Sequence, residues 1–329
     1  MKKIINDPEQ VVDEMLKGMV SAHKTIERVE GTNVLIRSDI PKKVTLISGG
    51  GSGHEPSHGG FLGTGMLDGA VAGEVFTSPT PDEVFEAIKA VDQGEGVLLV
   101  IKNYTGDVMN FEMARELAEA EGIKVKQVVV NDDVAVEDST YTTGRRGIAG
   151  TIFIHKIAGA AAEDNLSLEK VQKIAQKVIN NVRTMGMSLS PCIVPAAGEP
   201  SFELEENEME IGLGIHGEPG VEKKEIQPAD KIASELVMKI LKDIEYKEGD
   251  EAAVLVNGLG GTPLMELYIL NRKVHEILES KGIKIYKTFV GNFMTSLEMA
   301  GASISLLKLD DELKEYLDKK ADTLAFKQF

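Results

Sequence analysis

Residues 48–60, SGGGSGHEPSHGG, gather six glycines around two histidines, His54 and His58, directly after an apolar run at 44–47. Glycine lacks a Cβ, so such a stretch lets the main chain bend freely and approach a ligand closely. His54-Glu55-Pro56-Ser57-His58 matches the string HExxH, whose zinc chemistry needs both histidines on one face of a helix. Pro56 falls inside the turn that helix would need, and a proline there opposes it. No Gly-Lys-Ser/Thr occurs, so there is no Walker loop. As a dinucleotide fingerprint the glycines fail as well, because His54-Glu55-Pro56 follows where a helix should open. The expectation is a ligand-facing loop after a strand.

Two further polar strings follow apolar runs: KNYTGD at 102–107 and GLGIHGEPG at 212–220. In open α/β sheets ligands bind beyond the carboxyl ends of strands. That rule groups Gly51, Ser52, Gly53, His54, Lys102, Asp107 and His216, provided the two halves of the chain face each other. Asp107 after Thr-Gly also suits a helix cap, and both readings stand. His216 between Gly214 and Gly217 is poorly placed for packing, since the glycines leave space around its ring. His23, His155 and His275 sit among Lys and Glu on helical stretches and are expected at or near the surface. Arg145-Arg146 reads either as a docking or phosphate site or as a salt bridge in a turn. Asn257–Gly261, NGLGG, reads as a structural turn.

The elements that must position these groups alternate. Asp7-Pro8-Glu9-Gln10 opens a helix whose apolar face runs from Val11 to Val20. Strands are expected at 43–47, 70–75, 97–101 and 124–130, with helices to about Val91 from Thr80, to about Gly122 from near Met109, and over 151–162 and 168–182. This pattern indicates a largely parallel α/β sheet. Composition shifts after Arg183, so two domains are expected, 1–183 and 184–329. The second half reads as strands at 208–214, 252–256, 284–290 and 303–309, with helices at 229–241, 262–281 and from Asp310. The fold class is therefore α/β, two domains with mostly parallel or mixed sheets.

At 329 residues the chain exceeds one typical core. A net charge of −17 argues against a nucleic-acid surface, which needs clustered basic residues. Cys192, the single cysteine, lies in SPCIVP and is expected as a buried thiol. One thiol makes no internal disulfide, which suits a reducing cytoplasm. Neither a signal peptide nor a membrane span is expected.

At these strings the chain resembles a known family, the substrate-binding subunits of bacterial dihydroxyacetone kinases that draw phosphate from the phosphotransferase system. GGGSGHEPSHGG, GEVFTSPTPDEVFEAI, IKNYTGDVMNFEMA, DDVAVEDSTYTTGRRGIAGT, VPAAGEPSF and GIHGEPG carry the likeness nearly end to end. The resemblance implies a homodimer and a covalent hemiaminal between dihydroxyacetone and His216. It implies Asp107 as the base for the reacting hydroxyl and His54 as substrate contact and acid/base. Gly51, Ser52, Gly53 and Lys102 become substrate contacts, Lys102 through its carbonyl or its charge. It implies no cofactor in this chain; ADP and Mg belong to a separate nucleotide-binding kinase subunit, recharged by a phosphotransferase-system subunit. A paralogous dihydroxyacetone-sensing coactivator is the alternative. Arg145 and Arg146 keep both readings.

Overall fold

A computed structural model describes residues 2–136, 144–218 and 220–329. The middle of the DDVAVEDSTYTTGRRGIAGT string and Pro219 of GIHGEPG lie outside the described residues. Asp7 caps a short turn, Pro8–Gln10, that leads into α1 (Val11–Ala22). β1 (Ile26–Arg28), β2 (Val34–Arg37), β3 (Thr45–Ser52), β4 (Gly63–Thr64) and β5 (Gly69–Val75) follow. Thr80 then opens α2 (Pro81–Val91) with the expected reciprocal cap to Glu83. After it come β6 (Val97–Lys102), α3 (Thr105–Ala120), β7 (Val125–Val130), α4 (Thr151–Glu163) and α5 (Leu168–Asn181). The rest of the chain forms β8 (Val182–Ser188), β9 (Glu208–Ile211), β10 (Glu222–Glu225), α6 (Ala229–Asp243), β11 (Glu251–Gly258), α7 (Leu264–Ser280), β12 (Lys284–Gly291), β13 (Gly301–Leu309), α8 (Asp311–Asp318), β14 (Ala321–Thr323) and β15 (Lys327–Gln328).

The first sheet has the order β1-β2-β5-β3-β6-β7, and β5, β3, β6 and β7 run parallel. The second, β10-β9-β8-β13-β11-β12, is antiparallel except for β11 against β12. The sheets are thus mixed, and helix–strand alternation alone overstates the parallel share of the second half.

Period-two alternation explains the layering. In β6, Val97, Leu99 and Ile101 face α2 and α3, while Leu98 and Val100 face α4 and α5. In β11, Ala253 and Leu255 join that same α4–α5 core, and Ala252, Val254 and Val256 pack under α6 and α7. Helices α4 and α5 therefore fill the space between the two sheets. This is why Thr151–Ala162 is buried on every side, and why His155, expected near the surface, is fully enclosed. His23 is exposed and His275 half-buried, as expected. Cys192 is buried, and burial pushes its thiol pKa up.

One expectation needs correcting at the glycine stretch. Its first half is not a loop: β3 continues through Gly49, Gly50 and Gly51 to Ser52. The glycines are needed because neighbouring main chain comes close. A Cβ on Gly49 would lie 2.5 Å from the Val71 carbonyl oxygen, and one on Gly51 2.5 Å from the Thr77 nitrogen.

Candidate functional site

Because β5, β3 and β6 run parallel, Val75, Ser52 and Lys102 end at the same edge of the first sheet. Beyond Ser52 the chain turns, and residues 53–57 dock against the segment between β12 and β13. Leu297 N–H donates to the Gly53 carbonyl at 2.7 Å, Thr295 Oγ1–H to the Glu55 carbonyl at 2.8 Å, and Ser57 Oγ–H to the Phe293 carbonyl at 2.8 Å. This docking fixes His54. Its Nδ1–H donates to the Thr295 carbonyl at 2.8 Å, and its ring stacks on Phe76 at 5.2 Å. Its Nε2 is buried without a hydrogen-bond partner among the described residues. Burial, then the positive fields of His216 and Lys102, hold its pKa well below the usual histidine range. His54 thus presents a neutral, unoccupied acceptor. The HExxH string forms no helix: His54 faces His216, whereas His58 faces His155.

The loop after β9 brings His216 to that acceptor from the second half. The two rings meet edge to plane, centroids 4.8 Å apart, and Tyr104 and Phe76 close the other sides at 4.4 and 5.4 Å. Glu218 lies 3.2 Å from His216 Nδ1 through Oε1 and accepts the His216 main-chain N–H at 2.8 Å through Oε2. Burial would raise the Glu218 pKa, but His216 and Arg146 draw it down to about 2. A carboxylate at Nδ1 fixes the proton there and leaves Nε2 with its lone pair. Gly214 makes room for this clasp, since a Cβ on it would lie 1.9 Å from Glu218 Oε2. Neither Glu218 nor Tyr104 was singled out from the sequence, although each stands within a string that was. Phe76 was missed in the same way.

Asp107 sits in the first turn of α3, whose N-cap is Tyr104, so the capping reading is corrected. Its Oδ2 lies 3.5 Å from Lys102 Nζ, and both side chains are buried. Lys102 Nζ also donates to the Gly49 carbonyl at 3.1 Å. Gly50, at φ +149°, is the bare position above this pair: a Cβ would lie 2.3 Å from Lys102 Nζ and 3.3 Å from Asp107 Oδ2. Ser52 gives its hydroxyl proton to the Gly73 carbonyl at 2.7 Å, and Gly53 N–H donates to the Glu55 carboxylate at 3.1 Å. A cavity of about 650 Å³ opens over Gly51, Phe76, Tyr104, Asp107 and His216. A smaller one, about 330 Å³, is walled mainly by residues 50–60, His58 among them, with α1, β5 and Leu324–Ala325 completing it. The larger cavity is the one that the clasped His216 and Asp107 line together; His54 is not among its lining residues but backs the His216 ring.

The arginine pair is a pair of salt bridges. Arg146, buried, holds Asp133 at 2.7 Å and the Gly212 carbonyl at 2.8 Å, bracing the start of the His216 loop. Arg145 meets Asp243. No helix among the described residues is long and apolar enough to cross a membrane.

The Dak1 domain model matches residues 17–325. The chain is 56% identical, over 99% of its length and 100% of the relative's, to the dihydroxyacetone-binding subunit of PTS-dependent dihydroxyacetone kinase 1 of Listeria innocua. It is 45% identical, over 99% of each chain, to the dihydroxyacetone-binding subunit of the PEP-dependent dihydroxyacetone kinase of Escherichia coli. Among solved structures, a dihydroxyacetone kinase operon co-activator superimposes with a TM-score of 0.92, at 37% identity over 98% of this chain and 99% of that one. The dihydroxyacetone kinase of C. freundii gives the same TM-score at 35% identity, over 99% of this chain but 60% of that kinase.

Proposed function

Since the chain belongs to the Dak1 domain family, we propose that it is the dihydroxyacetone-binding subunit of a phosphoenolpyruvate-fed dihydroxyacetone kinase. The observation that carries this reading is the clasped His216, in ring contact with His54 and lining one cavity with Asp107. His216 Nε2 attacks C2 of dihydroxyacetone, and the carbonyl π electrons move onto oxygen. Formally the Nδ1 proton ends on that oxygen, so the adduct is a neutral hemiaminal and no atom is lost. Glu218 steadies the charge on the ring meanwhile, and His54 Nε2 accepts a substrate hydroxyl and relays the proton. Glycerol has no carbonyl, so covalent capture rejects it by reactivity, where hydrogen bonding would discriminate poorly.

The captured terminal hydroxyl is then fixed for attack. Asp107 takes its proton as oxygen bonds to phosphorus and the bond to the nucleoside diphosphate breaks. Lys102 acts by its charge, keeping the Asp107 carboxylate in place. Gly51, Ser52 and Gly53 form the wall. In this reading residues 1–183 supply the base and wall, and residues 184–329 the capture histidine. The protein works in the cytoplasm as a homodimer, with no cofactor of its own. ADP and Mg sit on a separate kinase subunit that a phosphotransferase-system protein recharges. The likeness over their full length to relatives named as dihydroxyacetone-binding subunits supports that division. A coactivator role has support in the likeness to the operon co-activator; Asp107, which a sensor does not need, favours the kinase.

Intact-protein mass spectrometry with dihydroxyacetone tests capture. The expected gain is one whole ketose without loss of water, absent in His216→Ala. A gain that persists in His216→Ala, or one short by a water as in a lysine imine, overturns it. Reconstitution with the phosphorylated kinase subunit should yield dihydroxyacetone phosphate; binding to a transcription regulator without product would favour the coactivator.

A further inference from the structure

Two buried histidines stand behind Lys102, and the chemistry above uses neither. His58 Nε2 lies 3.4 Å from Lys102 Nζ, and His58 Nδ1 lies 3.0 Å from His155 Nε2. An ammonium carries three hydrogens and no lone pair. Lys102 has three acceptors around it: the Gly49 carbonyl, Asp107 Oδ2 and His58 Nε2. The nitrogen facing it must therefore be the unprotonated one. That puts the His58 proton on Nδ1, where it donates to His155 Nε2, and the His155 proton on its own Nδ1. This last nitrogen is buried and has no partner among the described residues. His155 is fully enclosed, held by α4 between the sheets, and His58, largely buried, borders the smaller cavity. Burial and the Lys102 charge keep both rings neutral, with His155 brought down to about 3.

We propose that His58, backed by His155, is a positioning residue that aims the Lys102 ammonium at Asp107, so that the pair governs phosphoryl transfer but not ketose capture. The proposal rests on the assigned function above. Without the His58 acceptor, one N–H of a fully buried ammonium has nothing to meet. Lys102 then swings toward its remaining acceptors and takes the Asp107 carboxylate with it. The groups of the capture step, His216, Glu218 and His54, make no hydrogen bond to His58 or His155.

The experiment has two arms on the full chain. In the first, ¹⁵N-histidine NMR of the wild type reads the tautomers. His58 and His155 are expected to carry the proton on Nδ1; a proton on His58 Nε2 overturns the proposal. In the second, His58→Leu should capture dihydroxyacetone within about twofold of wild type while transfer falls by roughly 10- to 100-fold, the cost of a misplaced reacting group. His58→Gln, whose amide oxygen can accept from Nζ while its NH₂ meets His155, should recover most of the loss. Wild-type transfer in His58→Leu, or capture and transfer falling together in both variants, overturns the proposal. A wild-type chain that captures no ketose sinks the assigned function instead, and the tautomers then decide alone whether the histidine chain exists.

Discussion

Glu218 grips His216 twice, through the main-chain N–H at 2.8 Å and through Nδ1 at 3.2 Å. The proposed capture residue and the residue that orients it thus belong to one turn of chain.

Removing that grip should weaken capture. A hydrogen bond to a charged group contributes about 1.5–3 kcal/mol, so Glu218→Ala should lower the adduct equilibrium by roughly 10- to 100-fold. Titration of the adduct by mass spectrometry checks this; wild-type occupancy in a folded Glu218→Ala would refute the orienting role.

Asp107→Asn should separate the two steps. The amide cannot take the hydroxyl proton, so transfer should fall by about 10²–10⁴-fold, the usual contribution of a general base. Capture should persist, since Asp107 does not touch His216 Nδ1 or its partner. Single-turnover formation of dihydroxyacetone phosphate gives the answer.

Gly50→Ala should damage the same step by another route. The added methyl would fall on Lys102 Nζ, at a φ of +149° that side chains rarely adopt. A cost of about 1–3 kcal/mol in unfolding free energy is expected, with transfer reduced more than capture. Urea titration and the two assays together test it.

The buried histidine on α4 should make the fold acid-sensitive above the carboxylate range. The folded-state pKa of His155 is depressed to about 3 by burial and then Lys102, from an ordinary value of 6.5. The unfolded chain therefore binds the extra proton between those values. The stability is present above pH 6.5 and is lost as pH falls. Linkage gives about 2 kcal/mol lost between pH 7 and pH 5 from this one group. His155→Gln should show a correspondingly flatter decline in urea unfolding over that interval; an equal decline would refute it.

The strand–helix alternation and the site strings were legible because each obeys a local rule, such as the cap at Thr80 or the apolar run Val97–Ile101. Three things were not. Glycine propensity reads as loop, but Gly49–Gly51 are strand because they pair with Val71–Gly73 of β5. His155 looked solvated beside Lys156, yet both are enclosed, because α4 lies between two sheets and Lys156 reaches the Tyr316 carbonyl at 2.8 Å. Asp107 satisfies the cap pattern in sequence, while its carboxylate turns back to Lys102 across the β6–α3 turn, a geometry that residue spacing alone does not give. Sequence separation hides the docking of residues 53–57 on 293–297.

Gly51, where β3 meets the cavity, is bare main chain, with other atoms already where a side chain would begin. Such a surface can be altered only by enlarging it, so random mutation there has few neutral steps. Adaptation toward other short carbonyl compounds would have to proceed through the lining side chains, Val75, Thr77, Ser78 and Val194. The pocket thus divides into a part closed to evolutionary drift and a part open to it.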